Sequence, residues 1–517
     1  MDGPSHNFAY TDSERPVSQL VREALAPQYS AVPATRGRTL RRTWLDTFDW
    51  RLHRAGLTLE YVTGRGPAEL VLCGTTGERI TAEANGTRWP ALAEGLPQGP
   101  LRDRLTGLTT VRALLPAAKA ASTVSEFRLC NDDDKTVAWL TVDRLHPARP
   151  AAADPPARLS LTAVRGYQGQ ADRIARCLAA QPGVFPGALP ALDAVLATTG
   201  QAPGDYTNKI DVELTATMPA RTALRAVLLR LLDTLEANVA GTIRDIDTEF
   251  LHDLRVSVRR TRTALKLGAD LLPGGLAVEY QPAFKWLGDL TTPTRDLDVH
   301  LLTFGAGAAE LTSGSPADLA PFHDYLAQRR AVEQRRLARA LRSARFTRLT
   351  AAWRGVLTGM TPPRRGPDAA HAAARITGRA HRRILTRGAA IDADSPPEQL
   401  HDLRKRCKEL RYALEFFAAL HDLPAHRRAV RDLKGLQDCL GTYQDCEVQQ
   451  EEIRAVAGDL LAAGGVTATE LLAMGDFASH VGQRERRARS EFSSRFAAFA
   501  SPQAQARFEM LTTGVHS

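Results

Sequence analysis

Aromatic residues are scarce: 6% of the 517 positions are Phe, Trp or Tyr, too few for a protein that reads bases by stacking. Six cysteines are present (Cys73, Cys130, Cys177, Cys407, Cys439 and Cys446) and none forms a C-x-x-C pair. That excludes a zinc ribbon and a thioredoxin-like motif. Lysine is nearly absent. Of 67 basic residues 8 are Lys and 59 are Arg, a ratio that GC-rich coding produces without any polyanionic partner. The net charge of +9 therefore carries little meaning until the charges are placed. No apolar run is long enough to cross a bilayer, and the polar segment Met1–Tyr10 is unlike a signal peptide. These absences imply a soluble protein of the reducing cytoplasm. What remains is ordinary globular composition, 44% apolar and 24% charged, in a chain long enough for two or three domains.

The chain divides near residue 204. Residues 1–204 hold short β-like runs: Leu57–Val62, Glu69–Cys73, Val124–Leu129, Val137–Val142 and Arg158–Val164. Several carry alternating or β-branched residues and end at Gly, Pro or Asp clusters, as antiparallel strands do. Ala148–Pro156 reads as a loop, and Gln181–Pro190 and Thr198–Gly204 as linker. Residues 205–517 change character. Apolar residues recur every three or four positions, and Gly and Pro retreat to breaks such as Pro273–Gly275, Pro362–Pro367 and Pro396–Pro397. The spacing predicts an all-helical region with two halves, about 205–355 and 368–510. The fold class expected is an α+β, antiparallel N-terminal domain followed by an all-α domain of two pseudo-symmetric bundles.

The halves follow from an internal repeat. Leu251-His252-Asp253-Leu254-Arg255 recurs as Leu400-His401-Asp402-Leu403-Arg404. The offset of 149 holds without a gap for about fifty residues, through Arg262/Arg411, Lys285/Lys434, Asp296/Asp445 and Val299/Val448. Leu251, Leu254, Val258 and Leu265 form a core-facing seam, matched by Leu400, Leu403, Cys407 and Leu414. One step round the helix from these, about 100°, stand His252, Arg255, Arg259 and Arg262, and in the second copy His401, Arg404, Lys408 and Arg411. Each basic stripe thus borders the core and runs about 15 Å. These positions keep their type in both copies, while neighbours drift (Val256/Lys405, Arg260/Glu409). A solvated face has no reason to do so, and a row of cations serving an extended anion does. Ser395 and Glu398 bracket two prolines as a capping box that would start the second stripe helix.

Further basic residues cluster nearby, with Arg335 and Arg339 on one helix and Arg379, Arg382 and Arg383 before the second copy. They are possible additions to the same surface. Arg295-Asp296-Leu297-Asp298-Val299, echoed at Gln444–Val448, invites a metal reading with His252 and His401, but two histidines 149 residues apart are no ligand signature. The acids are expected to hold neighbouring Arg side chains, and no metal or cofactor is expected.

These residues carry a resemblance. The helical half resembles CHAD, the conserved histidine α-helical domain, whose pattern is L-H-x-L-R-x-x-x-[RK]-x-x-R followed by L-x-x-x-L-x-x-x-R-D-x-D-V. Leu251–Arg262 and Leu400–Arg411 fit the first part; Lys285–Val299 and Lys434–Val448 fit the second less cleanly, with Thr291-Thr292-Pro293-Thr294 in place of a Leu-Gly turn and Gln444 in place of Arg. The resemblance implies two pseudo-symmetric bundles whose basic helices line a central groove or pore that binds inorganic polyphosphate.

The N-terminal half resembles a worn CYTH domain, the triphosphate-tunnel fold. Arg42–Leu52 and Ala55–Leu59 are similar to its Y-F-D-T-x-x-x-x-L-x-x-x-G-x-x-L segment, and Leu161–Tyr167 to its late strand ending in R-G-Y. Catalytic members carry an early E-x-E-x-K strand. The corresponding stretch, near Pro16–Arg22, lacks it; Leu59-Glu60-Tyr61-Val62 stands where L-R-x-R is expected, and the late acidic pair is reduced to Asp143. Paired carboxylates to hold Mg²⁺ are missing, which implies a domain without catalytic residues.

Polyphosphate binding through His252, Arg255, Arg259, Arg262, Lys285, His401, Arg404, Lys408, Arg411 and Lys434 is the first expectation. Forked Arg donors and point-charge Lys suit a linear polyanion without bases. The alternatives are a CYTH-type triphosphatase acting on tripolyphosphate or nucleoside triphosphates, and non-specific RNA or DNA binding. No membrane partner is expected, and the oligomeric state is left open.

Overall fold

In the computed structural model of the chain, the described residues are 5–513 apart from 13, 36, 65, 76, 85, 149–153, 363–364 and 422. The start of the Met1–Tyr10 segment, the centre of the Ala148–Pro156 loop and part of the Pro362–Pro367 break lie outside the described residues. The chain divides into two compact units, Met1–Thr207 and Asn208–Ser517.

The first unit is an antiparallel sheet with helices. Its strands are β1 (Ser5–Tyr10), β2 (Ser30–Pro33), β3 (Arg38–Thr47), β4 (Leu57–Thr63), β5 (Glu69–Gly74), β6 (Arg79–Glu83), β7 (Leu114–Cys130), β8 (Thr136–Pro147), β9 (Ala157–Ala163) and β10 (Val184–Pro186). They run in the order β10-β1-β9-β8-β7-β3-β4-β5-β6, with β2 pairing β7. Its helices are α1 (Val17–Leu25), α2 (Arg51–Arg54), α3 (Pro100–Thr109), α4 (Gln168–Ala179) and α5 (Ala191–Thr198). In β9 every second residue is buried, as the period of two requires of a strand with one covered face.

Two readings of this unit need correction. Pro16–Arg22 is not a strand. Val17, Leu20, Val21 and Leu25 share one helical face, and Pro16 precedes the first turn, so the segment is α1. The first strand is β1, and it too lacks paired acids. Gln181–Pro190 is not wholly linker, because β10 within it pairs with β1. In the motif Asp46-Thr47, the buried Asp46 carboxylate accepts N–H bonds from Thr47, Leu52 and His53 at 2.7, 2.9 and 2.9 Å and so fixes the turn from β3 into α2.

The second unit is helical: α6 (Ala220–Arg244), α7 (Thr248–Leu267), α8 (Leu276–Ala308), α9 (Ala320–Leu341), α10 (Ala344–Gly359), α11 (Ala369–Gly388), α12 (Pro397–Phe416), α13 (Leu423–Ala462), α14 (Ala468–Phe499) and α15 (Pro502–Thr513). Helix starts keep the offset of the repeat. α6 and α11 begin 149 residues apart, and α7 and α12 both begin and end 149 residues apart. The link between the halves obeys the same rule. Ala220 N–H donates to Pro367 O at 3.0 Å, and Ala369 N–H to Met218 O at 2.7 Å. Each bond is the other with the two copies exchanged, which is the signature of a two-fold contact. The repeat therefore reaches back to Met218.

The seam residues Leu251, Leu254, Val258 and Leu265 are buried with α6, α8 and α10, and Leu400, Leu403, Cys407, Leu410 and Leu414 with α11, α13, α14 and α15. A third core joins α8, α9, α13 and α14 through Leu297, Phe322, Ile453 and Phe477. Gly241 allows α6 to lie against Phe250; a methyl there would fall inside the ring. Asp247 caps α7 by accepting from Glu249 and Phe250. The capping box expected at α12 does not form. Ser395 instead closes a turn on Asp392 through bonds of 3.0 and 2.9 Å, and Pro397 alone marks the start of the helix.

Candidate functional site

The stripes of α7 and α12 face each other. Two ion pairs join the helices: Arg260 to Glu415 at 2.6 Å and Lys266 to Glu409 at 2.6 Å. Adding 149 to 260 and 266 gives 409 and 415, so each pair is again the image of the other. The drift of Arg260 into Glu409 is thus a complementary contact across the pseudo-axis. Near that axis Tyr412 lies between the copies: its hydroxyl accepts from Arg259 Nε, and the Arg259 guanidinium sits 5.6 Å from the ring centroid.

Between the stripes opens a cavity of about 620 Å³. Six cationic side chains line it (Arg255, Arg259, Arg295, Arg404, Lys408 and Arg484) together with His252, His300 and His401, against only Asp296 and Asp445. The two acids repeat one role. Asp296 pairs with Arg255 at 3.9 Å and Asp445 with Arg404 at 2.9 Å, positions 149 apart on both sides. Arg255 also reaches Gly288 O and the Thr292 hydroxyl. The ring of His401 is fixed through Nδ1 by the Gln444 amide.

The charge is under-compensated. Lys408 makes no hydrogen bond or ion pair among the described residues, and the buried Nε atoms of Arg404 and Arg484 have no hydrogen-bond partner. Burial first, then the guanidiniums of Arg259 and Arg404, push the Lys408 amine down to about 7 from its ordinary 10.5. Burial also lowers Arg255, partly countered by Asp296. His401 is lowered by burial and by Lys405, Arg404 and Lys408. Groups that resist protonation because they are buried and because cations crowd them mark a cavity that attracts anions.

The structure thus brings together His252, Arg255, Arg259, His401, Arg404 and Lys408. Arg411 and Arg262 line two smaller hollows, of about 300 and 370 Å³, that share Arg259, Arg404 and Lys408 with the central one. Lys285 and Lys434 are not brought in. Both are exposed, and Lys285 pairs with Asp289 one turn on, at 2.6 Å. Arg335 and Arg339 line a separate hollow with Arg342 against Ile243 and Asp245. Arg379, Arg382 and Arg383 are exposed on α11 and line none of these hollows. Arg295, His300, Arg484 and Lys405 were not among the expected site residues. Arg295 stood inside the second repeated motif and His300 directly after it; Arg484 carries no signal in that repeat. No group of three His, Cys, Asp or Glu side chains among the described residues could hold a metal ion, and no described helix is long and apolar enough to cross a membrane.

A two-fold-repeated helical unit with a cationic cavity between its copies is the class that fold and site define. Residues 226–454 match the family model of the CHAD domain, and the helical region of this chain carries a CHAD domain. Among solved structures, the chain is similar to the crystal structure of the CHAD domain from the plant Ricinus communis, with 25% identity, 58% of this chain and 94% of that chain covered, and a TM-score of 0.44. It is also similar to PptA from Streptomyces chartreusis, with 18% identity, 54% and 99% covered, and a TM-score of 0.44. No curated protein matches the chain.

Proposed function

We propose that the helical unit binds inorganic polyphosphate in the cavity between α7 and α12, and that the protein is a binding protein rather than an enzyme. The observation that carries this reading is the convergence of both repeated stripes on one cavity with six cations and two carboxylates. A linear polyanion supplies oxygen acceptors along its whole length, which forked Arg donors take in pairs. The cavity offers little to a base: the aromatic Tyr412 of the flanking hollows is engaged by Arg259, and stacking on free rings is what single-stranded nucleic-acid sites use.

For the N-terminal unit the proposal is a CYTH-like sheet without turnover. On one face of the sheet Arg42 forks Glu60 at 2.7 Å and reaches Asp143 at 2.8 Å, while Arg158 reaches Asp143 at 3.4 Å. Two guanidiniums and two carboxylates neutralise one another, so this cluster offers neither free paired acids for Mg²⁺ nor a spare cation for a triphosphate. Trp44 and Leu145 pack against Leu192 and Val195 of α5, so apolar side chains fill the adjoining surface.

The test is competition at physiological salt between long-chain polyphosphate and single-stranded RNA of equal total charge. The reading expects polyphosphate to displace the RNA. RNA that holds its place would turn the site into a nucleic-acid groove.

A further inference from the structure

The two flanking hollows are approximate images of each other. The hollow of about 300 Å³ is lined by His252, Arg260, Arg411 and Glu415; the hollow of about 370 Å³ by His401, Glu409, Arg262 and Lys266. Under the offset of 149, His252 becomes His401, Arg260 becomes Glu409, and Arg262 and Lys266 become Arg411 and Glu415. Each hollow holds one of the two cross-axis ion pairs, and both share Arg259, Arg404 and Lys408 with the central cavity. The central cavity maps onto itself, with Arg255 and Arg404, Arg259 and Lys408, and Asp296 and Asp445 as exchanged pairs. The pseudo-axis therefore passes through the middle of the site and the hollows lie on either side of it.

We propose that these hollows are two equivalent mouths, and that the site grips an internal stretch of its polyanion without reading chain direction or chain ends. This rests on the polyphosphate reading and specifies how the ligand lies. A two-fold operation reverses a chain laid across the axis. Only a ligand that presents the same groups in both directions can satisfy both halves equally. Inorganic polyphosphate does so, since each phosphorus is joined to the next through the same bridging oxygen. A nucleic-acid strand, with distinct 5′ and 3′ directions, does not. A site for chain ends would need one closed side and extra cations there for the extra terminal charge. Here Arg262 at one mouth is matched by Arg411 at the other; the one unmatched cation among the described residues is Lys405, beside Arg262, where its counterpart Val256 lines the other mouth.

The experiment compares long-chain polyphosphate with the same chain blocked at both ends by phosphoramidate linkage to a bulky amine. It is run on the full chain and on the single variants Arg262→Ala and Arg411→Ala. The proposal expects blocked and unblocked chains to bind within about twofold of each other, and the two variants to weaken binding by similar factors. A loss of tenfold or more on blocking, while the unblocked chain still binds, overturns the internal grip and leaves the polyphosphate reading standing. A large effect of one mouth variant and none of the other overturns the equivalence of the mouths. Failure of both chain forms to bind overturns the polyphosphate reading, and this inference with it.

Discussion

Polyanion binding in the cavity is expected to be proton-linked through Lys408. Burial, Arg259, Arg404 and Arg255 disfavour its charge, and Asp445 on α13 opposes them only in part, which pushes the amine down to about 7 from 10.5. A bound polyanion would place negative charge beside it and raise it again, against the burial that remains. Above pH 7 the free protein holds Lys408 neutral and the complex holds it charged, so binding takes up a proton. Affinity is then level below about pH 7 and falls above it, approaching tenfold or about 1.4 kcal/mol per pH unit. Calorimetry in two buffers of different ionisation enthalpy counts the protons. Wild type is expected to take up nearly one at about pH 8.5 and almost none at about pH 6. Lys408→Arg keeps its charge at both values and takes up none, and this variant also subtracts any proton that the polyphosphate itself exchanges. Equal uptake by wild type and Lys408→Arg would refute the reasoning.

Replacing Arg255, Arg259 and Arg262 together by Ala should weaken polyphosphate binding and flatten its dependence on log salt by roughly 0.7 for each phosphate charge that the variant no longer neutralises; unchanged affinity in the folded variant would remove the stripe from the site. The N-terminal unit should release no phosphate from tripolyphosphate or ATP with Mg²⁺ or Mn²⁺, and turnover that Asp143→Asn abolishes would show its ion-pair network to be catalytic. His381 and His421 are buried and pushed down to about 4. The unfolded chain takes up protons at these positions below about pH 6.5 and the folded chain does not until about 4, so stability should be full above 6.5 and decline between them by up to about 3 kcal/mol for each group. Melting temperatures from pH 7 to 4 check this, and a His381→Phe variant, packed on Phe508, should lose less than wild type does.

The helical half was legible because a duplicated pattern repeats its own evidence. Apolar spacing fixed the seam at Leu251–Leu265 and Leu400–Leu414, and the step from each seam residue to the next placed the stripes correctly beside the core. Two things were missed for physical reasons. Lys285 and Lys434 keep their type at the same offset, yet they lie on the outer side of α8 and α13, where a cation needs only solvent or a carboxylate one turn away. Arg260/Glu409 and Lys266/Glu415 were visible as charge reversals at the offset of 149. A pair that reverses sign between copies is what a two-fold contact needs, since like charges would repel across the axis. In the sheet unit, Pro16–Arg22 misled because its helical face is only four apolar residues long. β10 was hidden because three residues between glycines become a strand only through the edge that β1 offers.

The central claim is that the two repeats make one site. Linking two sets of contacts on one chain raises affinity through effective concentration without new chemistry. The measurement is affinity for a short oligophosphate and a long polyphosphate in four proteins: wild type, a variant with Arg255, Arg259 and Arg262 neutralised, one with Arg404, Lys408 and Arg411 neutralised, and the combination. The account predicts that losing one stripe costs the long chain more than the short one, and that losing both erases the difference. If loss of a single stripe weakens both ligands by the same factor, the stripes act independently and the shared cavity is not the binding site.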